Sequence, residues 1–253
     1  MHKIGILKSA SAGLPCIFRN PKNASMKFTY YGHACFQVEI GGKQILFDPF
    51  ITGNEMAAGI VNVDEIAADY ILLSHGHQDH VLDMESIAKR NDSTVVAAYE
   101  VALWANGLGI EKFQPMNHGG KWNFEFGSVK ATNAVHSSVL PDGSYGGNPL
   151  GFVIESEAGN FYYAGDTALT LDMQLIPRTS KPLDFCVLPI GDCFTMGYED
   201  AIIASDFVKC DKVIGVHYDT FGFIKIDHYE AKKAFADKGK ELIIMEIGES
   251  RNI

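Results

Sequence analysis

Tyr70-Ile71-Leu72-Leu73-Ser74-His75-Gly76-His77-Gln78-Asp79-His80 sets four potential metal ligands directly behind a short apolar run. The run reads as a buried strand and the segment after it as a loop. Residues two apart in an extended segment face the same side, so His75 and His77 can converge on one ion. Asp79 and His80 are adjacent and would point oppositely if the strand continued. A turn eased by Gly76 aims both at a second ion beside the first, so the spacing suits two metals better than one.

Three more ligand candidates sit where apolar runs end. Asn133-Ala134-Val135-His136, Tyr163-Ala164-Gly165-Asp166-Thr167 and Val213-Ile214-Gly215-Val216-His217 each place a histidine or aspartate at the start of a loop. Neutral imidazole and carboxylate suit zinc and also iron or manganese, and the two oxygens of Asp166 allow it to bridge. Histidines scattered into loops by chance would not share this order and strand-end context.

Outward from these loops the chain reads as one pattern performed twice. Lys27–Tyr31, Cys35–Ile40 and Gln44–Asp48 are strands, the last two joined by Gly41-Gly42 in a hairpin. A short helix is expected over Val63–Asp69, strands at Tyr70–Ser74 and Thr94–Ala98, and a helix at Met84–Arg90. The second pass has strands at Trp122–Phe126, Ser128–Asn133, Leu150–Glu155, Asn160–Ala164, Phe185–Pro189, Lys212–Val216 and Leu242–Met245. Helices are expected near Leu169–Ile176, Glu199–Val208 and His228–Lys238. Two sheets face to face with helices outside bury all these strands, which makes the expected fold an α/β four-layer αββα sandwich. Residues 1–25 carry Gly13, Pro15 and Pro21 without a sustained period and are expected to be an irregular extension; 26–253 form a single domain.

With His75-x-His77-x-Asp79-His80, His136, Asp166 and His217 in that order, the chain resembles the metallo-β-lactamase superfamily over nearly all of Met26–Ile253. The resemblance implies His75, His77 and His136 on one metal and Asp79, His80 and His217 on the other, with Asp166 bridging. Asp79 and Asp166 are then the carboxylates at the reacting centre. The strings Tyr31-Gly32-His33, Asp48-Pro49-Phe50, Ala164-Gly165-Asp166-Thr167 and His217-Tyr218-Asp219-Thr220-Phe221 look like a subgroup of bacterial metal-dependent hydrolases of unassigned substrate, related to the ascorbate-phosphate lactonase-like members. The same resemblance implies two divalent ions as cofactors, zinc first and manganese, iron or nickel as alternatives. A hydroxide shared by the two ions would attack an ester, lactone or phosphodiester, and two dications against two aspartates and that hydroxide leave a net positive site that favours an anionic substrate. Two rival readings are an iron-dependent redox enzyme of the same fold and a metal-dependent binding or sensing protein without turnover.

Six further residues are candidates for substrate contact or for supporting the ligands. His33 ends a strand and either lines the pocket or bonds within its own turn. Asp48, before Pro49, reads as a buried carboxylate supporting the metal loop. Asp192 and Thr195 lie in a glycine-bounded loop, and Tyr218 and Asp219 follow His217 directly. His118 is expected to be an ordinary loop residue, and Gly143-Ser144-Tyr145-Gly146-Gly147 a mobile flap. Ser137 and Ser138 lack a GxSxG elbow, so the chemistry belongs to the metal.

Composition narrows the partners. The chain of 253 residues carries 21 Lys+Arg against 31 Asp+Glu, a formal charge of -10, which repels nucleic-acid backbones and anionic membranes. No apolar run approaches the ~18 residues that span a bilayer. The N-terminal run Ile4-Gly5-Ile6-Leu7 is shorter than the ~7-residue minimum of a secretory core. The five cysteines form no CxxC pair and read as the reduced thiols of a cytoplasmic protein. A small-molecule substrate is the expected partner, with a homo-oligomer as a further expectation.

Overall fold

Alternation after Met26 makes a meander: β1 (Lys27–Gly32), β2 (Cys35–Ile40) and β3 (Lys43–Phe47) pair antiparallel, and β2 turns into β3 at Gly41 and Gly42 with φ of 60° and 82°. In the computed structural model, which describes residues 25–253, β4 (Tyr70–Leu72), β5 (Thr94–Ala98) and β6 (Phe113–Met116) then add in parallel. Between them run α1 (Gln78–Val81), α2 (Met84–Asn91) and α3 (Tyr99–Gly107). The extension expected over 1–25 lies, except for Ser25, outside the described residues.

The second sheet repeats the plan. β7 (Lys121–Phe124), β8 (Gly127–Asn133), β9 (Leu150–Glu155) and β10 (Asn160–Tyr163) are antiparallel; β11 (Phe185–Pro189), β12 (Lys212–Val216) and β13 (Glu241–Ile243) continue in parallel. The helices α4 (Ile176–Thr179), α5 (Tyr198–Val208) and α6 (His228–Ala236) accompany this half. Beside β1, where β7 sits beside β8, the first sheet takes β14 (Ser250–Asn252) from the C-terminal end of the chain. Each sheet thus has seven strands.

Period-2 geometry explains why β10 and β11 are apolar throughout. Phe161, Tyr163, Phe185 and Val187 face the other sheet, whereas Tyr162, Cys186 and Leu188 join a second cluster with α5 and α6 residues such as Ala204 and Phe235; both faces are covered, as parallel strands require. Aromatic contacts bind the sheets: Phe36 meets Tyr163 at 4.9 Å and Phe47 meets Phe161 at 5.9 Å between ring centroids. The two mixed sheets with flanking helices form the expected α/β sandwich.

Three local expectations are corrected. The helix over Val63–Asp69 is only a 3-10 turn at Val63–Glu65. Side chains at the end of α2 capture the carbonyls a helix would need: Arg90 donates to Val63 O and Ile66 O, Asn91 to Ile66 O, and Ser93 to Ala68 O. The helix near Leu169–Ile176 is a 3-10 turn over Leu171–Leu175 that passes into α4, where Pro177 fits the first turn. Finally α1 is a helical turn within the segment read as a loop, and α3, β6 and β14 are regular elements in stretches to which periodicity assigns none. Cys35, Cys186, Cys193 and Cys210 are free thiols.

Candidate metal centre

All the ligand loops leave the sheets at one end. β1, β3 and β4 run the same way and deliver His33, Asp48 and the segment Ser74–His80; β8, β10 and β12 deliver His136, Asp166 and His217. Mixed sheets present ligands at such strand ends because the backbone there is free to turn. The turn after His77 is α1: Asp79 and His80 sit in a single helical turn, which puts both side chains on the cluster.

Two groups of donors form, and His75, His80 and Asp166 make a third that overlaps both. His75, His77 and His136 have ligand atoms within 4.8 Å of one another, and so do His33, Asp79, His80 and His217. His75 Nε2 lies 2.8 Å from His77 Nδ1. Asp166 stands between the groups, its Oδ2 being 2.9 Å from His217 Nε2, 3.2 Å from His80 Nε2 and 3.7 Å from His136 Nε2. The structure therefore brings all seven expected ligands together, with His33 as an eighth donor.

The donor set fits divalent cations. Asp166 Oδ1 is buried without a hydrogen-bond partner among the described residues, and burying such an atom unsatisfied costs about 1–3 kcal/mol. A bound cation would satisfy it. Burial, followed by the neighbouring His80, holds His75 well below its usual pKa, and burial likewise lowers His77 and His136, so these imidazoles are in the neutral, ligating form. Burial opposes ionisation of Asp166 and Asp79, but His217 and His80 hold Asp166 well below the carboxylate range, and the hydrogen bond to His33 does the same for Asp79. His80 runs the other way: burial lowers it, yet Asp166 and Asp48 together raise it well above the usual value. Two carboxylates converging on one ring call for positive charge at that point.

His33 and Asp48 hold this arrangement. Burial, then the neighbouring His217, lowers the pKa of His33 to about 4, so the ring is neutral. Its Nε2 meets Asp79 Oδ2 at 3.0 Å and its Nδ1 meets Thr220 Oγ1 at 3.1 Å. With both nitrogens engaged, His33 orients Asp79. Asp48 is fully buried and accepts from Ser74 N (2.7 Å), Ser74 Oγ (2.6 Å), Tyr163 Oη (2.5 Å) and His80 Nδ1 (2.8 Å). Asp48 thereby fixes the base of the ligand loop and the ring of His80 at once.

The other candidates make different contacts. Tyr218 is buried, donates to Met245 O and stacks on Tyr30. Asp219 accepts from Ile226 N and pairs with His228, shaping the loop after His217. Asp192 and Thr195 bond within their own turn, to Cys193 N and Met196 O. His118 places its Nε2 2.8 Å from the carbonyl of Pro149, away from the cluster. Ser138 Oγ accepts from Gly76 N, so the 137–147 segment rests on the ligand loop. Of the eight non-glycine residues at positive φ among the described residues, Asp92 and Lys209 end helices; His33, Asp48, Asp192, Cys193, His217 and Asp219 sit on loops at the site end of the sheets. Strained backbone gathers where side chains must be aimed.

The sequence matches the beta-lactamase superfamily domain over residues 27–217. A protein of Christiangramia forsetii called a metal-dependent hydrolase is 59% identical over 225 residues, which cover 89% of this chain and 99% of that one. One of Flavobacterium johnsoniae with the same name is 58% identical over 225 residues, with the same coverage. Among solved structures, a metallo hydrolase from the archaeon Ignicoccus hospitalis superposes with a TM-score of 0.81 at 30% identity, covering 90% of this chain and 98% of that one.

Proposed function

The chain belongs to the metallo-β-lactamase superfamily, and from that premise we propose that it is a metal-dependent hydrolase with a dinuclear centre acting on a small ester, lactone or phosphodiester. The observation that supports two ions is the place of Asp166, with one carboxylate oxygen within 3.7 Å of histidines from both donor groups and the other oxygen buried without a partner. His75, His77 and His136 hold one ion and Asp79, His80 and His217 the other, and zinc suits this set of nitrogens and oxygens. Bound divalent cations contribute activation of water at neutral pH and Lewis acidity toward the scissile group. The protein's own part is positional: His33 keeps the Asp79 carboxylate turned toward the centre, and Asp48 keeps His80 from rotating.

Elemental analysis of protein loaded with zinc and dialysed should give two ions per chain. Asp166→Ala should lower occupancy of both positions, because it removes the group shared between two cations. The loaded protein should hydrolyse at least one member of a panel of p-nitrophenyl esters, lactones and phosphodiesters, and lose that activity to chelator. A single ion per chain in the loaded protein would overturn the dinuclear reading. Full metal loading with no turnover across the panel would favour a binding or sensing role.

A further inference from the structure

The loops that carry the ligands also carry exposed apolar side chains, and among the described residues they carry a single lysine, Lys225, and no arginine. Val135 precedes His136 and is 50% exposed; Phe194 is 50% and Phe223 78% exposed. Phe194 lies on the loop tied to the Asp166 loop through Met196 N donating to Thr167 O. Phe223 follows His217 in the same loop, and the two rings meet edge to face at 6.1 Å. Nearer the donors, Phe50 and Phe221 stand 5.5 Å and 5.2 Å from the ring of His33. The open side of the cluster is where Asp79 and His136 keep 26% and 15% side-chain exposure, and Phe194 and Phe223 sit on loops that leave the sheets at this same end.

No lysine or arginine occurs in 48–62, 74–84, 134–148, 164–175, 190–198 or 217–224. The charged residues in these ranges, apart from the ligands, are acidic: Glu55, Asp142, Asp172 and Asp192 are exposed, Asp219 is half-buried, and Asp48 and Asp83 are buried. A phosphorylated substrate is ordinarily held by Arg or Lys forks outside the reacting centre. These loops offer no arginine and only the single exposed Lys225 among the described residues, which cannot form a fork. Exposed aromatics on neighbouring loops instead form a wall whose burial against an apolar group is favourable.

We infer that the substrate, hydrolysed as proposed above, is a carboxylic ester, thioester or lactone whose non-reacting part is apolar and uncharged, and that Phe194 and Phe223 determine this specificity by contacting it. The inference rests on the hydrolase reading, so the test separates the two. Zinc-loaded protein is assayed with p-nitrophenyl acetate, p-nitrophenyl octanoate and bis-p-nitrophenyl phosphate, which share a leaving group. The octanoate ester should exceed the acetate ester in kcat/KM by about tenfold or more, and the phosphodiester should fall below both. Phe194→Ser with Phe223→Ser should shrink the octanoate-to-acetate ratio about tenfold, whereas Leu103→Ser, on the exposed side of α3, should leave that ratio unchanged. Calorimetry supplies a readout without turnover: octanoate should bind the loaded protein about tenfold more tightly than acetate, a preference the double variant should lose. Preference for the phosphodiester, equal binding of octanoate and acetate, or an unchanged ratio in a folded double variant would overturn the inference while leaving the hydrolase reading intact. Inertness toward all three esters together with the octanoate preference in binding would overturn hydrolysis and retain the apolar specificity.

Discussion

Replacing Asp48 by asparagine tests the hub behind the ligands without changing its size. Four donors converge on the carboxylate at 2.5–2.8 Å: one on Oδ1, from Ser74 N, and three on Oδ2, from Ser74 Oγ, His80 Nδ1 and Tyr163 Oη. An amide has one acceptor oxygen. If that oxygen faces the three donors, the amide nitrogen faces the backbone N–H of Ser74; the opposite orientation is worse. Hydrogen bonds to a charged group contribute about 1.5–3 kcal/mol each, and a buried donor left unpaired costs about 1–3 kcal/mol. One lost bond and three weakened ones therefore predict a loss of about 3–5 kcal/mol. Urea titration of the metal-free protein measures it as a lower midpoint. The same change frees the ring of His80, so zinc affinity read by competition with a chromophoric chelator should fall about 10–100-fold. A variant with the parental urea midpoint and parental zinc affinity would refute the assignment of Asp48 as the support of the site.

His33→Ala should weaken zinc at the Asp79, His80 and His217 position about 10–100-fold while sparing the three-histidine position, because it removes the partner of Asp79; a titration by elemental analysis at limiting zinc should then plateau near one ion per chain. Chelation should lower the melting temperature, reversibly on return of zinc, because only the folded chain assembles these ligands, and a melting curve indifferent to chelator would count against a metal in this centre. His75→Ala should reduce turnover far more than Ser137→Ala or Cys193→Ala: the serine hydroxyl lies 3.4 Å from His77, an imidazole assigned to a metal and so no general base, and Cys193 is an exposed loop thiol. A covalent adduct trapped on either residue would reverse that order.

The parts of the fold written in side-chain chemistry were legible. β2, β5, β9, β11 and β12 fall on their expected ranges because uninterrupted or alternating apolar runs bounded by glycine, proline or charge have few other solutions. The ligand loop was legible for the same reason, as was the burial of Asp48, whose carboxylate ends an apolar run ahead of a proline. β14 was not. Ser250-Arg251-Asn252 is polar and exposed and is a strand only through its register with Lys27, Phe28 and Thr29, a tertiary fact with no local period. β6 contains Pro115, a residue disfavoured inside a sheet, yet it is the last strand of its sheet, where a missing N–H is tolerated. His33 carried a weak signal, a histidine after Tyr31-Gly32 at a strand end. Its bond to Asp79 spans 46 residues and is invisible to spacing.

Neither donor group can form within one half of the chain. The three-histidine group takes His75 and His77 from the loop after β4 and His136 from the loop after β8; the other takes His33, Asp79 and His80 from the first sheet and His217 from the second. The separation of the ligands is set by how the sheets pack, and the packing reaches the site through Tyr163, whose ring meets Phe36 and Phe47 of the first sheet while its hydroxyl donates to Asp48. Close-packed aromatics resist small displacements because each shift opens a gap or a clash. The same layer of phenylalanines that stabilises the sandwich therefore also holds the donors at coordinating distance, which is why a doubled sheet pattern and a strand-end ligand pattern occur in one sequence.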